Sequence, residues 1–239
     1  MTEILPQRYT VTVSRVVPLS PTTKLFRLSF PPGVRFLFTA GQFVSLVRVT
    51  EEGELRRSYS IASRPSITDS VELLIRKKED GALTPWLHEL REGMMLLLRG
   101  PYGRFRIHDR ATSLVFIAAG AGVSPFRGMI GDYLERGGKR SILLLFGFRT
   151  PQDFFFREEF EDLARRYPHF CLIPTASQPS DDWDGGRGRV TEILEEHIAD
   201  PEGKSVYICG PPAMVDETLR TLKSLGFSDR QFFVERWSS

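Results

Sequence analysis

The first hundred residues alternate between short apolar runs and turn-forming segments. The runs are rich in Val, Leu, Ile and Phe, and the segments between them include S-P-T, P-P-G, T-A-G, E-E-G and E-D-G. This pattern predicts six strands with short connections, folded as an antiparallel β-barrel. One short helix is predicted at Pro85–Leu90, with Thr84 as its N-cap. The predicted strands are Tyr9–Val17, Lys24–Phe30, Gln42–Val49, Arg57–Ile61, Ser70–Lys77 and Met94–Arg99.

From about residue 111, apolar runs alternate with helical stretches instead. Alternation of this kind predicts βαβ units, and here it predicts a five-stranded parallel sheet in an α/β domain. We expect two domains, residues 1–105 and 106–239, that join near G-P-Y-G-R-F. The predicted strands are Leu114–Ala119, Ile142–Phe148, Phe170–Pro174, Ser205–Cys209 and Gln231–Val234, and the predicted helices are Pro125–Arg136, Asp153–Tyr167, Thr191–Ile198 and Ala213–Ser224.

Composition and charge narrow the class of protein. Of the 239 residues 41% are hydrophobic and 26% charged, which is typical of globular domains. The formal net charge is only +2, so we expect no nucleic-acid partner. The first residues, M-T-E-I-L-P-Q-R-Y-T, do not resemble a signal peptide, and the apolar runs are too short to span a bilayer. We therefore expect a cytoplasmic protein without a membrane span.

Cysteine and histidine are rare in this chain. Its two cysteines, Cys171 and Cys209, are fewer than the four that hold an iron–sulfur cluster. The four histidines show no ligand spacing. We expect no metal site in this chain.

Two segments carry glycines or thiols at the ends of predicted parallel strands. In A-A-G-A-G-V-S-P, Gly120 and Gly122 permit a tight turn, and Ser124–Pro125 opens a helix whose free N–H groups suit a pyrophosphate. The alternative is an ordinary βα turn, because Pro125 replaces the third glycine of the G-x-G-x-x-G fingerprint. In C-G-P-P-A-M, Cys209 ends a strand where α/β proteins bind ligands, or it is simply a small buried residue.

A third segment, R-R-S-Y-S-I-A-S, places many hydrogen-bond donors on a strand-like stretch. Alone, it is consistent with a solvent-facing strand edge. However, R-S-Y-S-I-A-S, G-A-L-T, G-P-Y-G, A-G-A-G-V-S-P, C-G-P-P-A-M and V-E-R-W follow one another along the chain. In this order the chain resembles the ferredoxin–NADP reductase family over essentially its whole length. The resemblance implies a stand-alone FAD-dependent reductase that lacks an iron–sulfur domain.

The resemblance also implies roles in binding FAD. Arg57 would pair with a flavin phosphate, Tyr59 would lie against the isoalloxazine, and Ser60 would hydrogen-bond near flavin N5. G-A-L-T would bind the pyrophosphate, with Thr84 in place of the family's serine, and Trp237 would cover the other flavin face. The implied FAD-binding residues are Arg57, Ser58, Tyr59, Ser60, Ile75, Arg76, Lys77, Gly81, Leu83, Thr84 and Trp237.

The implied nicotinamide coenzyme is NADH or NADPH. Arg149 and Arg189 stand where relatives specific for NADP bind the 2′-phosphate, but Gln178 stands where such relatives often carry arginine. The preference stays open. The implied coenzyme-binding residues are Gly120, Gly122, Val123, Ser124, Pro125, Arg149, Cys209, Gly210 and Pro211, and the implied catalytic residues are Ser60, Cys209 and Glu235.

The expected function follows from these roles. The protein would take hydride from NAD(P)H onto FAD and pass electrons singly to a separate protein, either a ferredoxin or another iron–sulfur or haem protein. Two alternatives are a reductase of free flavin and a non-catalytic nucleotide-binding subunit of a larger redox complex.

Overall fold

The computed structural model describes residues 5–108 and 111–236, and they form two compact units. The first unit contains the described residues up to Arg106 together with Ser124–Tyr133. The second unit contains Ile107–Val123 and the described residues from Leu134 onward. None of the helices in the described part of the chain is long and apolar enough to cross a membrane.

The first unit is a six-stranded antiparallel barrel, as the alternation of apolar and turn-forming segments predicts. Its sheet order is β4-β3-β6-β1-β2-β5. A bridge between Ile61 and Leu73 links the two outer strands, and the Ala62 amide donates to the Glu72 carbonyl at 2.8 Å. These contacts close the sheet. The strands are β1 (Gln7–Ser20), β2 (Thr23–Ser29), β3 (Phe43–Thr50), β4 (Gly53–Ser60), β5 (Ser70–Arg76) and β6 (Met95–Tyr102).

The short helix α1 (Thr84–Glu89) begins differently from the prediction. Its N-cap is Leu83, and the Thr84 side chain forms no cap. Instead, the Thr84 hydroxyl accepts from the Lys78 amide at 2.9 Å and donates to the Lys78 carbonyl at 3.0 Å. The hydroxyl therefore closes the loop before the helix, because two backbone groups of one residue lie within its reach.

The second unit is built on a parallel sheet with the order β10-β9-β8-β7-β11-β12. It has six strands rather than the five predicted, since Gly186–Arg187 adds a two-residue strand beside β9. Two residues with neither apolar character nor alternation give no strand signal in sequence. The strands are β7 (Ser113–Ala119), β8 (Ser141–Phe148), β9 (Phe170–Ala176), β10 (Gly186–Arg187), β11 (Lys204–Gly210) and β12 (Phe232–Arg236).

The remaining helices are α2 (Ser124–Glu135), α3 (Arg157–Arg166), α4 (Leu194–His197) and α5 (Pro212–Ser224), with 3₁₀ turns at Gly120–Val123, Pro151–Asp153, Val190–Ile193 and Asp229–Gln231. Helix α3 starts later than the predicted Asp153. Phe154 and Phe155 are buried, and Phe156 has a left-handed φ of 61°, so the backbone cannot run straight from the 3₁₀ turn into the helix. The triple-phenylalanine segment anchors to the core of the second unit before α3 begins.

Candidate functional site

The end of strand β4 presents the residues of the R-S-Y-S segment in two environments. Arg57 and Ser58 are exposed, whereas Tyr59 and Ser60 are buried. The Arg57 Nη1 donates to the Arg56 carbonyl at 2.8 Å, a local contact that a phosphate ligand could replace. The Ser58 hydroxyl lies 3.3 Å from that of Ser45, its partner on β3. The strand thus offers a charged group and hydroxyls beside a buried aromatic ring.

Tyr59 provides an observation that fits a bound ligand. Its hydroxyl is buried and has no hydrogen-bond partner among the described residues. Burial raises the pKa of the Tyr59 phenol, and the nearby Arg57 charge opposes this only in part. A buried hydroxyl normally has a partner, so the phenol is suited to hydrogen-bond with a group that binds against this strand. FAD fits this requirement because its ribityl chain and phosphates carry several acceptors.

The loop from Lys77 to Thr84 is shaped by one glycine and one hydroxyl. A Cβ on Gly81 would lie 2.8 Å from Thr84 Oγ1, so the close turn at Gly81 leaves no room for a side chain. Arg76 is exposed, and Lys77 forms an ion pair with Glu79 at 2.9 Å. Ile75 and Leu83 are each only 1% exposed, so their side chains belong to the barrel core. Any contact of these two with FAD would therefore involve backbone atoms.

The glycine-rich turn of the second unit is held close to the end of β11. Gly120 adopts a φ of 53°, which side-chain-bearing residues rarely do. A Cβ on Gly122 would overlap the carbonyl of Cys209. Both glycines are therefore needed for the backbone to approach β11 so closely. Val123 is fully buried, and the next residues, Ser124 and Pro125, begin the segment assigned to the first unit.

Cys209 and Glu235, two of the predicted catalytic residues, lie side by side. They are register partners on the parallel strands β11 and β12, and Cys209 Sγ lies 3.9 Å from Glu235 Oε2. Cys209 is fully buried and Glu235 is partly exposed. Gly210 follows, where a Cβ would lie 3.0 Å from Met214 Cε. Ser60 belongs to the first unit, and its role beside this pair stays a prediction.

The residues considered for binding the coenzyme's adenosine end lie just after β8, β9 and β10. The Arg149 Nε donates to Gln178 Oε1 at 2.8 Å, and the backbone amide of Gln178 donates to the backbone carbonyl of Arg149 at 2.7 Å. Arg189 is exposed, and its amide donates to Glu192 Oε2 at 2.7 Å. Pro211 is the N-cap residue of α5. Trp237 lies outside the described residues.

Two buried polar residues near β4, Ser63 and Glu72, and the partly buried Arg127 were missed by the sequence prediction. The Arg127 Nη1 donates to Glu72 Oε2 at 2.6 Å, and the Ser63 hydroxyl accepts from the Glu72 amide at 3.1 Å. The Glu72 side chain is 9% exposed and that of Arg127 17%. A single carboxylate inside S-V-E-L-L-I is the sequence signal that could have indicated this cluster, because buried carboxylates require charged partners.

Two family models match successive parts of the chain. The model of the oxidoreductase FAD-binding domain matches residues 10–107, and that of the oxidoreductase NAD-binding domain matches residues 116–220. These matches coincide with the barrel and with the parallel sheet. The protein is thus an FAD- and NAD(P)-binding oxidoreductase, as the motifs predict.

Individual relatives define the family. The chain is 35% identical over 230 residues to ferredoxin–NADP reductase B of Sorangium cellulosum, covering 93% of this chain and 94% of that protein. It is 39% identical over 234 residues to the reductase component of phenol 2-monooxygenase from Pseudomonas sp. (strain CF600), covering 96% of this chain but only 65% of that protein. The chain belongs to the ferredoxin–NADP reductase family.

A solved structure supports the fold. The ferredoxin NADP⁺ reductase of Neisseria gonorrhoeae, crystallised with bound FAD and NADP, superposes with a TM-score of 0.83. The match covers 98% of this chain and 99% of that one at 23% identity. At this identity the comparison supports the two-domain fold alone.

Proposed function

We propose that this protein oxidises NAD(P)H and delivers the electrons, one at a time, to a separate acceptor protein. FAD supplies the group that accepts a hydride from the coenzyme and releases electrons singly. The main observation in support of the proposal is that one chain contains both a site suited to FAD and a site suited to the coenzyme. Strand β4 ends in an exposed guanidinium and a buried phenol without a partner among the described residues, and β11 ends in a thiol beside a carboxylate.

The chain's own residues would bind and orient rather than react. Arg57 would neutralise a phosphate of FAD, and Tyr59 would hold the flavin through its ring and hydroxyl. In the second unit, the turn at Gly120–Val123 would bind the coenzyme pyrophosphate through backbone amides. Cys209 and Glu235 would provide a thiol and a carboxylate to nicotinamide bound at these strand ends. Orientation of this kind is a large part of catalysis when the cofactor performs the chemistry.

The acceptor is proposed from the chain's cysteines and from its relatives. The two cysteines of this chain are too few to hold an iron–sulfur cluster, which supports an acceptor on another protein. The relatives include a ferredoxin–NADP reductase and an oxygenase reductase component. We infer that the acceptor is a ferredoxin or another iron–sulfur or haem protein. A contact of this kind is expected to be small and transient.

Stopped-flow reduction of the purified flavoprotein tests the proposal. We expect the protein to stay yellow after desalting and its flavin absorbance to bleach on mixing with NADH or NADPH. A colourless protein that reduces added flavin would instead identify a free-flavin reductase. A yellow protein bleached by neither coenzyme would identify a non-catalytic nucleotide-binding subunit.

A further inference from the structure

One face of helix α2 contacts the end of strand β4 and the residues after it. Ser124, Arg127, Gly128 and Gly131 have the spacing i, i+3, i+4 and i+7, which places them on one side of a helix. The helix segment and the strand belong to the same compact unit. The contacts of this helix face are therefore contacts within the first unit.

The first contact reaches a predicted flavin-site residue. The Ser124 hydroxyl donates to the Ser60 carbonyl at 3.0 Å. Ser124 is 0% exposed and Ser60 is 5% exposed, so this hydrogen bond is shielded from water. A shielded hydrogen bond resists exchange with solvent and fixes the peptide that follows Ser60. The side chain of Ser124 is thus directed at the barrel.

The second contact is an ion-pair cluster around the buried carboxylate of Glu72. Glu72 accepts from Arg127 at 2.6 Å and from Arg27 at 2.7 Å. Arg127 also lies 3.4 Å from the Ala62 carbonyl, and the Glu72 carbonyl accepts from the Ala62 amide at 2.8 Å. Ala62, two residues after Ser60, is therefore held at its carbonyl by Arg127 and at its amide by Glu72.

The third contact is the close approach of the helix backbone. A Cβ on Gly128 would lie 2.8 Å from the Ser63 carbonyl and 3.3 Å from that of Ile61. A Cβ on Gly131 would lie 2.9 Å from Arg64 Cδ. A larger residue at position 128 would push the helix away from this backbone, whereas one at position 131 would displace the flexible Arg64 side chain. Gly128 therefore lets the helix lie directly on residues 61–63.

We propose that Ser124 and Arg127 are positioning residues that hold Ser60 in place at the flavin, and that the Ser124 hydroxyl is not a ligand of the coenzyme. The contacts described above lie on residues 60–64 and on Glu72, whose carbonyl pairs with the Ala62 amide. A displacement of about 1 Å in such a group can slow a reaction about a hundredfold. This inference rests on the proposed function, because Ser60 matters only if the flavin binds there.

The test compares Ser124→Ala with Ser124→Thr, which keeps the hydroxyl. Thr218→Val is the matched control, because Thr218 carries a fully buried helix hydroxyl that donates to Met214 Sδ in the second unit. FAD-loaded protein is mixed with rising NADH or NADPH in a stopped-flow instrument, which yields the limiting rate of flavin reduction and the apparent coenzyme Kd. The visible circular dichroism of the bound flavin is recorded without coenzyme.

For Ser124→Ala we expect a limiting rate lower by about tenfold, an unchanged apparent Kd and an altered flavin dichroism. Ser124→Thr and Thr218→Val should resemble wild type in all three. A raised Kd with an unchanged limiting rate would overturn the proposal, since it would make Ser124 a coenzyme ligand. Unchanged values throughout would overturn it as well.

Two further results remain interpretable. If Ser124→Ala fails to fold, Arg127→Lys is measured in the same way, and an unchanged rate and dichroism would refute the proposal. If wild type is reduced by neither coenzyme, the proposed function fails. The dichroism of the variants still reports whether Ser124 positions the flavin strand.

Discussion

Arg57 carries a positive charge at an exposed position on β4, and its guanidinium fork matches a phosphate. Hydrogen bonds to charged groups contribute about 1.5–3 kcal/mol, so Arg57→Ala should raise the Kd of the apoprotein for FAD about 10- to 100-fold. Arg57→Lys should cause a smaller loss, because lysine acts as a point charge. Titration of the apoprotein with FAD, followed by flavin fluorescence, measures both values.

Arg56→Ala is the matched control for this experiment. Arg56 precedes Arg57 on the same strand, is also exposed, and has no proposed role. Its removal should leave the FAD affinity near that of wild type. Equal losses in the two alanine variants would show that net charge, rather than the Arg57 fork, attracts the cofactor.

Glu72 should make the stability of the protein depend on pH. Burial alone raises the pKa of this carboxyl, but Arg127 and Arg27 outweigh burial and hold the pKa below its ordinary value of 4.5. Because the folded-state pKa is depressed, the stabilisation is present above about pH 4.5 and is lost as the pH falls through the folded-state pKa.

The variant Glu72→Gln should therefore be less stable than wild type at neutral pH, by about 3 kcal/mol, because Arg127 loses its buried partner. The difference should shrink in acid, where the wild-type carboxyl is protonated as well. Urea unfolding at neutral pH and well below pH 4.5 provides the measurement. A difference of the same size at both pH values would show that the ion pair does not cause the loss.

At the scale of elements, the residues that follow β8 and β9 lead us to predict a preference for NADH over NADPH. Arg149 is hydrogen-bonded to Gln178, and the loop that follows β9 carries exposed carboxylates at Asp181, Asp182 and Asp184. If the adenosine end of the coenzyme binds beside this loop, these charges would repel a 2′-phosphate. Charged hydrogen bonds of about 1.5–3 kcal/mol correspond to roughly 10- to 100-fold in affinity, and we expect a preference of that order. Stopped-flow reduction with each coenzyme measures it.

Two substitutions of Gln178 test whether this residue contributes to the expected preference for NADH over NADPH. Gln178→Arg should reduce the preference for NADH over NADPH, because arginine adds a ligand for the 2′-phosphate. Gln178→Glu, which is nearly the same size as glutamine, should increase that preference. Neither change should alter the limiting rate of flavin reduction by NADH. If both variants keep the wild-type ratio, position 178 does not contact the adenosine end of the coenzyme.

The elements differ in how far the sequence predicts them. Apolar alternation and turn residues are local signals, and they predict the barrel, the parallel strands β7 to β9 and the glycine-rich turn. The strand Gly186–Arg187 and the late start of α3 depend on tertiary pairing and on the left-handed Phe156, which no local pattern indicates. Likewise, the motif places Ser124 in the coenzyme turn, but only the fold shows its hydroxyl directed at Ser60.

At the scale of the whole molecule, FAD should act as a stabilising ligand. A ligand at about a hundred times its Kd stabilises the folded state by about 2.7 kcal/mol. For a chain of 239 residues this corresponds to a melting temperature higher by about 5–10 °C. Thermal unfolding of FAD-loaded protein and apoprotein, followed by far-UV circular dichroism, measures the shift. AMP in place of FAD is the control, and an equal shift with AMP would contradict flavin binding at the barrel.

The chain leaves the first unit after Arg106 and returns to it with Ser124–Tyr133. A chimera that grafts residues 1–106 onto a foreign coenzyme module would therefore inherit a foreign helix against Ser60 and Glu72. A functional chimera would need to keep Ser124, Arg127, Gly128 and Gly131 of this protein together with its barrel. These residues are separated from residues 1–106 by a complete strand of the second unit.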